Sequence, residues 1–397
     1  MFGPLPLDIS WMIIDELRSE HDYDTLNVCA AVCQGWKQRA SKYIPLEMTF
    51  TEPDDVGDIS VKRRLRWRGP SKVRIEGGKQ SGERLPIPHL ATFASRLAEK
   101  WTRVEELRIE RAEWRMQDVG ANTVFLDLSC FFTSITYLRL YDVTFPTVLS
   151  FYRLILALPR LNGLNLHGIQ IDRAALDDAR ILSVFRLLPA SKLRSISLMP
   201  PEGSSKRPGS SNSSVALLQS IATIMDSPIG QTTRSLKRSP WRKVWQLELE
   251  EVNFTSAASF ACILDAFPAL EWLVIKGSCT FVEHGLDTSL RPGMLSQLTF
   301  VSLGRDCCLL SDSLSMTDLV DLFIKSGASN HLRGLNAWVS LPHRAPTSIN
   351  IAISRLVKRA GQSLRELNLT TISQSSIHMY NEALMRMNSG TGTTTVP

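Results

Sequence analysis

Hydrophobic and polar positions along the chain repeat one six-residue pattern: apolar, two variable residues, apolar, one variable residue, apolar. Nine copies occur, from Val104, Leu107, Ile109 to Leu364, Leu367, Leu369, ending at residues 109, 140, 166, 198, 249, 275, 303, 337 and 369. All the intervals between those ends are 26 to 34 residues except one of 51, which holds a Ser/Pro/Gly-rich insertion at 200–214 and a loop at 227–241. Each copy closes on a period of two, the signature of a half-buried strand. Helical spacing fills stretches between copies, at 149–158, 174–188, 215–225, 257–267, 319–325 and 349–358, with Pro159 and Pro268 as stops. A strand and helix of about 30 residues cannot bury its apolar face alone, so successive units must stack, strands in one parallel sheet and helices over its other side.

The predicted fold is therefore α/β, a solenoid with a curved parallel sheet over 46–387, with weaker early units at 46–50 and 73–75 and a flexible tail at 388–397. The pattern resembles the leucine-rich repeat family. That family carries Asn or Cys three residues after the last strand position, where this chain has Ala112, Val143, Ile169, Pro201, Val252, Ser278, Asp306, Ser340 and Ile372. The resemblance thus implies an irregular repeat without an asparagine ladder; an ordinary α/β sheet is the alternative.

Residues 1–45 lack the repeat and form a separate helical domain. Ile9 to Leu17 holds six apolar residues in nine, which wrap most of a helix circumference and leave two faces to cover. Asp24 is placed to cap a second helix over 26–33, and Trp36, Ala40 and Tyr43 mark a third. A segment this small must lean on the first repeats. Spare apolar surface around Leu5, Ile9, Ile13 and Leu17 still calls for a partner with a complementary groove.

Leu5-Pro6, Ile9, Ile13, Leu17, Leu26, Val32-Cys33 and Trp36 resemble the F-box, a Leu-Pro start, spaced aliphatics and a Val-Cys-x-x-Trp close. Gln34 stands where that family commonly has Arg, and the connection from Glu20 to Asp24 is longer and acidic. The resemblance implies a non-catalytic, substrate-recognition adaptor of a Skp1, cullin, F-box ubiquitin ligase. Leu5, Pro6, Ile9, Ile13, Leu17, Val32 and Trp36 are then the Skp1-binding or supporting positions, and the repeats hold an unknown protein substrate. Alternation along the strands places Tyr137, Arg139, Tyr141, His167, Trp272, Lys276 and Trp338 on the outward sheet face, where aromatics and Arg anchor protein interfaces.

Composition narrows the partners. With 44% hydrophobic and 21% charged residues the chain has globular composition. It has no apolar run of about 18 residues, and Asp8 and Asp15 interrupt its start, which points to an intracellular protein, cytoplasmic or nuclear, with no membrane partner. Seven scattered cysteines read as reduced thiols. Residues 1–58 carry −7 and the remainder +13, an asymmetry that fits two regions with different partners. Phosphate-loop, HExxH and GxSxG motifs are missing, and Cys29 with Cys33 lacks a second pair or nearby His for zinc, so neither enzyme activity, a metal site nor a cofactor is expected. The run at 62–74 has seven bases and Trp67. It supports the alternative reading, a ligase-independent scaffold or nucleic-acid-binding module, although Leu65 and Val73 interleave with the bases as in a solvated strand and turn.

Overall fold

All nine repeat ends lie on β-strands in the computed structural model, which describes residues 6–20, 22–59, 67–80, 83–97, 99–115, 123–173, 192–200, 217–218, 240–285, 295–340 and 347–372. The chain is α/β and divides into two units, residues 1–192 and 193–397. Leu5, the helix expected at 174–188, all but residues 217–218 of that expected at 215–225, nearly all of the insertion at 200–214, most of the loop at 227–241 and the tail at 388–397 fall outside the described residues.

In the first unit the strands are β1 (Glu47–Phe50), β2 (Lys72–Glu76), β3 (Leu85–Pro86), β4 (Glu106–Glu113), β5 (Tyr137–Thr147), β6 (Gly163–His167) and β7 (Gln170–Arg173). The main ladder runs β1-β2-β4-β5-β6, every pair parallel. Its register aligns Val73, Leu107, Leu138 and Leu164 in one column and Ile75, Ile109, Leu140 and Leu166 in the next. All eight are buried. Each such side chain contributes about 1.5–3 kcal/mol relative to exposure, and a slip of one residue would turn every one of them to the other face.

The second unit repeats the scheme with β8 (Ser195–Met199), β9 (Gln246–Leu249), β10 (Val252–Ser256), β11 (Trp272–Ile275), β12 (Cys279–Glu283), β13 (Phe300–Leu303), β14 (Gly334–Ser340) and β15 (Glu366–Ile372). Here the parallel ladder is β8-β9-β11-β13-β14-β15. Ile196, Leu247, Leu273, Val301 and Leu335 form a buried column; Leu367, on the last strand, is exposed.

Eleven helices are described: α1 (Leu7–Ser19), α2 (Tyr23–Cys29), α3 (Gln34–Ala40), α4 (Pro53–Gly57), α5 (Pro88–Leu97), α6 (Thr123–Phe131), α7 (Val148–Leu156), α8 (Ala257–Asp265), α9 (Arg305–Leu310), α10 (Ser313–Lys325) and α11 (Ser348–Ala360). Five begin on a short polar side chain that accepts the backbone N–H three residues on: Asp22, Thr147, Ser256, Asp312 and Thr347. Such caps are worth about 1 kcal/mol each and set where strand becomes helix.

A left-handed residue falls at the same place in four copies. Two residues past the last apolar position, Arg111, Asp142, Gly168 and Glu251 have φ of 47°, 56°, 61° and 50°. The residue after it is apolar and buried in each case, Ala112, Val143, Ile169 and Val252. Beyond this residue the backbone pairs again: β3 with the end of β4, β7 with the end of β5, and β10 with β12.

Candidate protein-docking surfaces

The opening helix divides its apolar residues between two faces. Ile14 belongs to a small core with Leu26, Cys29 and Ala40, against which Leu17, Tyr23 and Trp36 pack. Ile9, Met12 and Ile13 lie on the other side, 48%, 71% and 42% exposed, and Val32, in the turn after α2, is 61% exposed. Pro6 is exposed as well. Of the residues expected to dock, Ile9, Ile13 and Val32 therefore present free apolar surface, whereas Leu17 and Trp36 are largely spent on the core beneath. Arg39 braces this segment. It donates to Asp15 at 3.1 and 2.6 Å and lies over the rings of Trp11 and Tyr43. That guanidinium holds the Asp15 carboxyl below its usual range.

Two expectations about this segment are corrected. The second helix spans Tyr23–Cys29, not 26–33, and its cap is Asp22, whose carboxylate accepts from the Thr25 N–H at 3.1 Å and the Thr25 hydroxyl at 2.8 Å. Asp24 instead accepts the backbone N–H of Trp67 at 2.7 Å. Cys29 closes α2 and Cys33 caps α3, so the two do not share a helix.

Trp67 shows how the segment leans on the repeats. Its ring is only 4% exposed, 5.0 Å from Tyr23 and 5.4 Å from Trp101, which in turn meets Phe50 and Phe93. An aromatic chain thus runs from α2 into the core of the first unit. This use of Trp67 leaves it no open face for stacking on a base, the contact that gave the 62–74 run its nucleic-acid character; residues 62–66 lie outside the described set.

The outward sheet face of the first unit is charged. Arg74, Arg108 and Arg139 stand side by side on β2, β4 and β5, like charges in adjacent positions. Glutamates on both sides hold them: Arg139 meets Glu106 at 2.7 Å, Arg74 meets Glu47 at 3.3 Å and Glu76 at 3.2 Å, and the buried Glu110 faces Arg108, Arg74 and Arg111. The expected site residues fall into this frame. Tyr137 is exposed, Arg139 is exposed and paired, and Tyr141 stacks on His167 with ring centres 4.3 Å apart.

On the second unit the corresponding face is aromatic. Trp272 lies flat on Phe300, with ring centres 4.3 Å apart, and meets Trp245 edge-on at 6.1 Å. The Phe300 ring covers Gly334: a Cβ there would sit 2.3 Å from it. Lys276 pairs with Glu248 at 2.5 Å, and Trp338 is half-buried opposite Thr370. Trp245 and Phe300 belong to this cluster but were not among the sequence candidates. Phe300 occupies the same outward parity as Trp272 and was readable from it; Trp245 lies one residue before its strand, where alternation says nothing.

Burial governs the thiols of this unit. Cys279 is pushed up to about 12 and Cys308 to about 11, and Cys307 is raised as well. Cys33, Cys130 and Cys262 are exposed. Among the described residues no group of three or more His, Cys, Asp or Glu side chains is placed to hold a metal ion, and no helix is long and apolar enough to cross a membrane. Comparison with models of known protein families finds no match to this chain, and a search of curated proteins finds none either.

Proposed function

We propose that the protein is a substrate-recognition adaptor of a Skp1, cullin, F-box ubiquitin ligase: α1 to α3 bind Skp1, and a solenoid of leucine-rich-repeat type presents a bound protein. The observation that supports it best is the apolar ledge of Ile9, Met12, Ile13 and Val32, left open by a helical segment that builds its own core from the opposite face. Exposed aliphatics grouped in this way are what a helix-in-groove partner covers. The role is non-catalytic. Holding a substrate lysine near a charged ubiquitin-conjugating enzyme raises its effective concentration, and the bond-making happens on other subunits. Tyr137, Arg139, Tyr141 and His167 on one unit, and Trp272, Lys276 and Trp338 on the other, are the positions for substrate contact. The reading places the protein in the cytoplasm or nucleus, with no cofactor.

The test is co-purification with Skp1. Ile13→Asp puts a charge into a contact that must be dry, and should weaken capture at least about 100-fold while the melting temperature stays within about 2 °C of wild type. Capture of the Ile13→Asp chain at wild-type strength, or no capture of the wild-type chain, overturns the reading.

A further inference from the structure

The turn that separates α2 from α3 borders an open, solvent-facing cavity of about 750 Å³, large enough for a metabolite-sized ligand. Its polar lining is Asn27, Gln34, Lys37, Ser41 and Arg103, with the Cys33 thiol at the same wall. Two cations therefore face one space, and none of the described lining residues is acidic. Neither Lys37 nor Arg103 has a carboxylate within ion-pairing distance among the described residues, although the sheet face of the same unit pairs nearly every arginine it carries. Arg103 is pinned from behind, its backbone N–H donating to the carbonyl of Arg68, which adds an exposed base next to it. Ile44 and Leu46 line the cavity too and give it an apolar side.

We propose that this cavity is a binding site for a small phosphate-bearing organic molecule. Lys37 and Arg103 would neutralise the phosphate, the amides of Asn27 and Gln34 and the Ser41 hydroxyl would donate to its remaining oxygens, and Ile44 with Leu46 would meet the organic body. A dianion matches two cations that lack counter-charges, and an ammonium and a guanidinium are the two side chains that suit phosphate oxygens. The site goes beyond the adaptor reading and stands without it, since it needs only the free chain.

Cys33 reports occupancy directly. The full-length chain is treated with N-ethylmaleimide at constant ionic strength, with pyrophosphate or AMP as probes and adenosine as the phosphate-free control, and labelling at each cysteine is followed by peptide mass spectrometry. The exposed Cys130 and Cys262 serve as references in the same reaction. Pyrophosphate and AMP should slow labelling of Cys33 at least fivefold and leave the references unchanged; adenosine should do nothing. The double variant Lys37→Gln, Arg103→Gln should lose the protection while keeping the wild-type melting temperature. Labelling of Cys33 that is indifferent to both phosphates, or protection that survives in the double variant, overturns the proposal. Neither result bears on Skp1 capture, so the two readings fail separately.

Discussion

One turn recurs in both units, with opposite electrostatics. In the first unit the left-handed residues Arg111 and Asp142 are held by their side chains: Arg111 donates to the Gly78 carbonyl and to Glu76, both at 2.6 Å, and Asp142 is gripped by Arg84, which also reaches Thr144 at 2.7 Å and the Gly168 carbonyl at 3.3 Å. In the second unit Glu251 takes the same strained backbone with no cation paired to it among the described residues, and burial together with Glu250 and Asp306 raises its carboxyl above the ordinary value. The sheet faces differ in the same sense: a lattice of arginines and glutamates on one, stacked rings on the other. Repetition of backbone geometry does not require repetition of chemistry. Each unit satisfies the turn with whatever its own surface offers.

The largest effect should come from breaking the charged lattice. Glu110 is 2% exposed and faces three arginines. Glu110→Gln removes the one carboxylate that all three share, and leaves Arg74 and Arg111 only their outer glutamates. It should cost about 2–4 kcal/mol of unfolding free energy, below the upper range for buried pairs because the arginines themselves are partly in water. A charge-removing change on the face of the second unit, Glu248→Gln, strips a pair whose lysine is half-exposed and should cost less than about 1 kcal/mol. Urea unfolding of both variants checks the contrast, and equal losses would erase it.

The aromatic face breaks differently. Gly334→Ala drives a methyl group into the Phe300 ring, and with Trp272 stacked on the other side that ring has nowhere to slide. The cost should be about 1–3 kcal/mol, with a shift in tryptophan fluorescence as the Trp272 environment opens. Combined with Phe300→Ala the same substitution should cost only a few tenths of a kcal/mol, because the obstacle is gone. A full penalty in the double variant would mean that the glycine serves the backbone and not the ring.

How much of this was legible in the sequence follows from what each feature depends on. The strands were: a buried apolar residue at every second position is a property of one segment, and the copies from Leu107 to Leu369 all lie on strands. The helix ends at Ala257 and Ser348 were read to within one residue, because helical spacing is equally local. Partner choice was not. Alternation put Arg139 on the outward face but could not tell that Glu106 lies beside it, since that depends on the register between strands 31 residues apart. The phosphate-site cavity escaped for the same reason, drawing Arg103 to residues of 27–46. The turns were hidden by their diversity, for Arg, Asp, Gly and Glu share no signature beyond a φ that only glycine adopts freely. At α2 two aspartates competed for one cap, and the loser found Trp67, 43 positions away.

The smallest effect separates the two versions of the turn most sharply, because its sign differs between them. Glu251→Gly removes the penalty of a left-handed side chain and a poorly solvated carboxylate at once, and should raise stability by about 1 kcal/mol. Arg111→Gly relieves the same backbone strain but deletes the contacts to Gly78, Glu76 and Glu110, so it should lower stability. Glu251→Gln divides the gain, keeping the strained backbone and dropping the charge. A carboxyl whose folded pKa is raised binds its proton more readily in the folded state than in the unfolded one. Wild type therefore loses stability relative to the Gln variant as pH rises from about 4.5 upward, and the gap closes in more acidic solution. Thermal melts at pH 4 and pH 7 resolve this. If Glu251→Gly gains nothing at either pH, the turn is unstrained in both units, and the ion pairs of the first serve only to join its neighbouring turns.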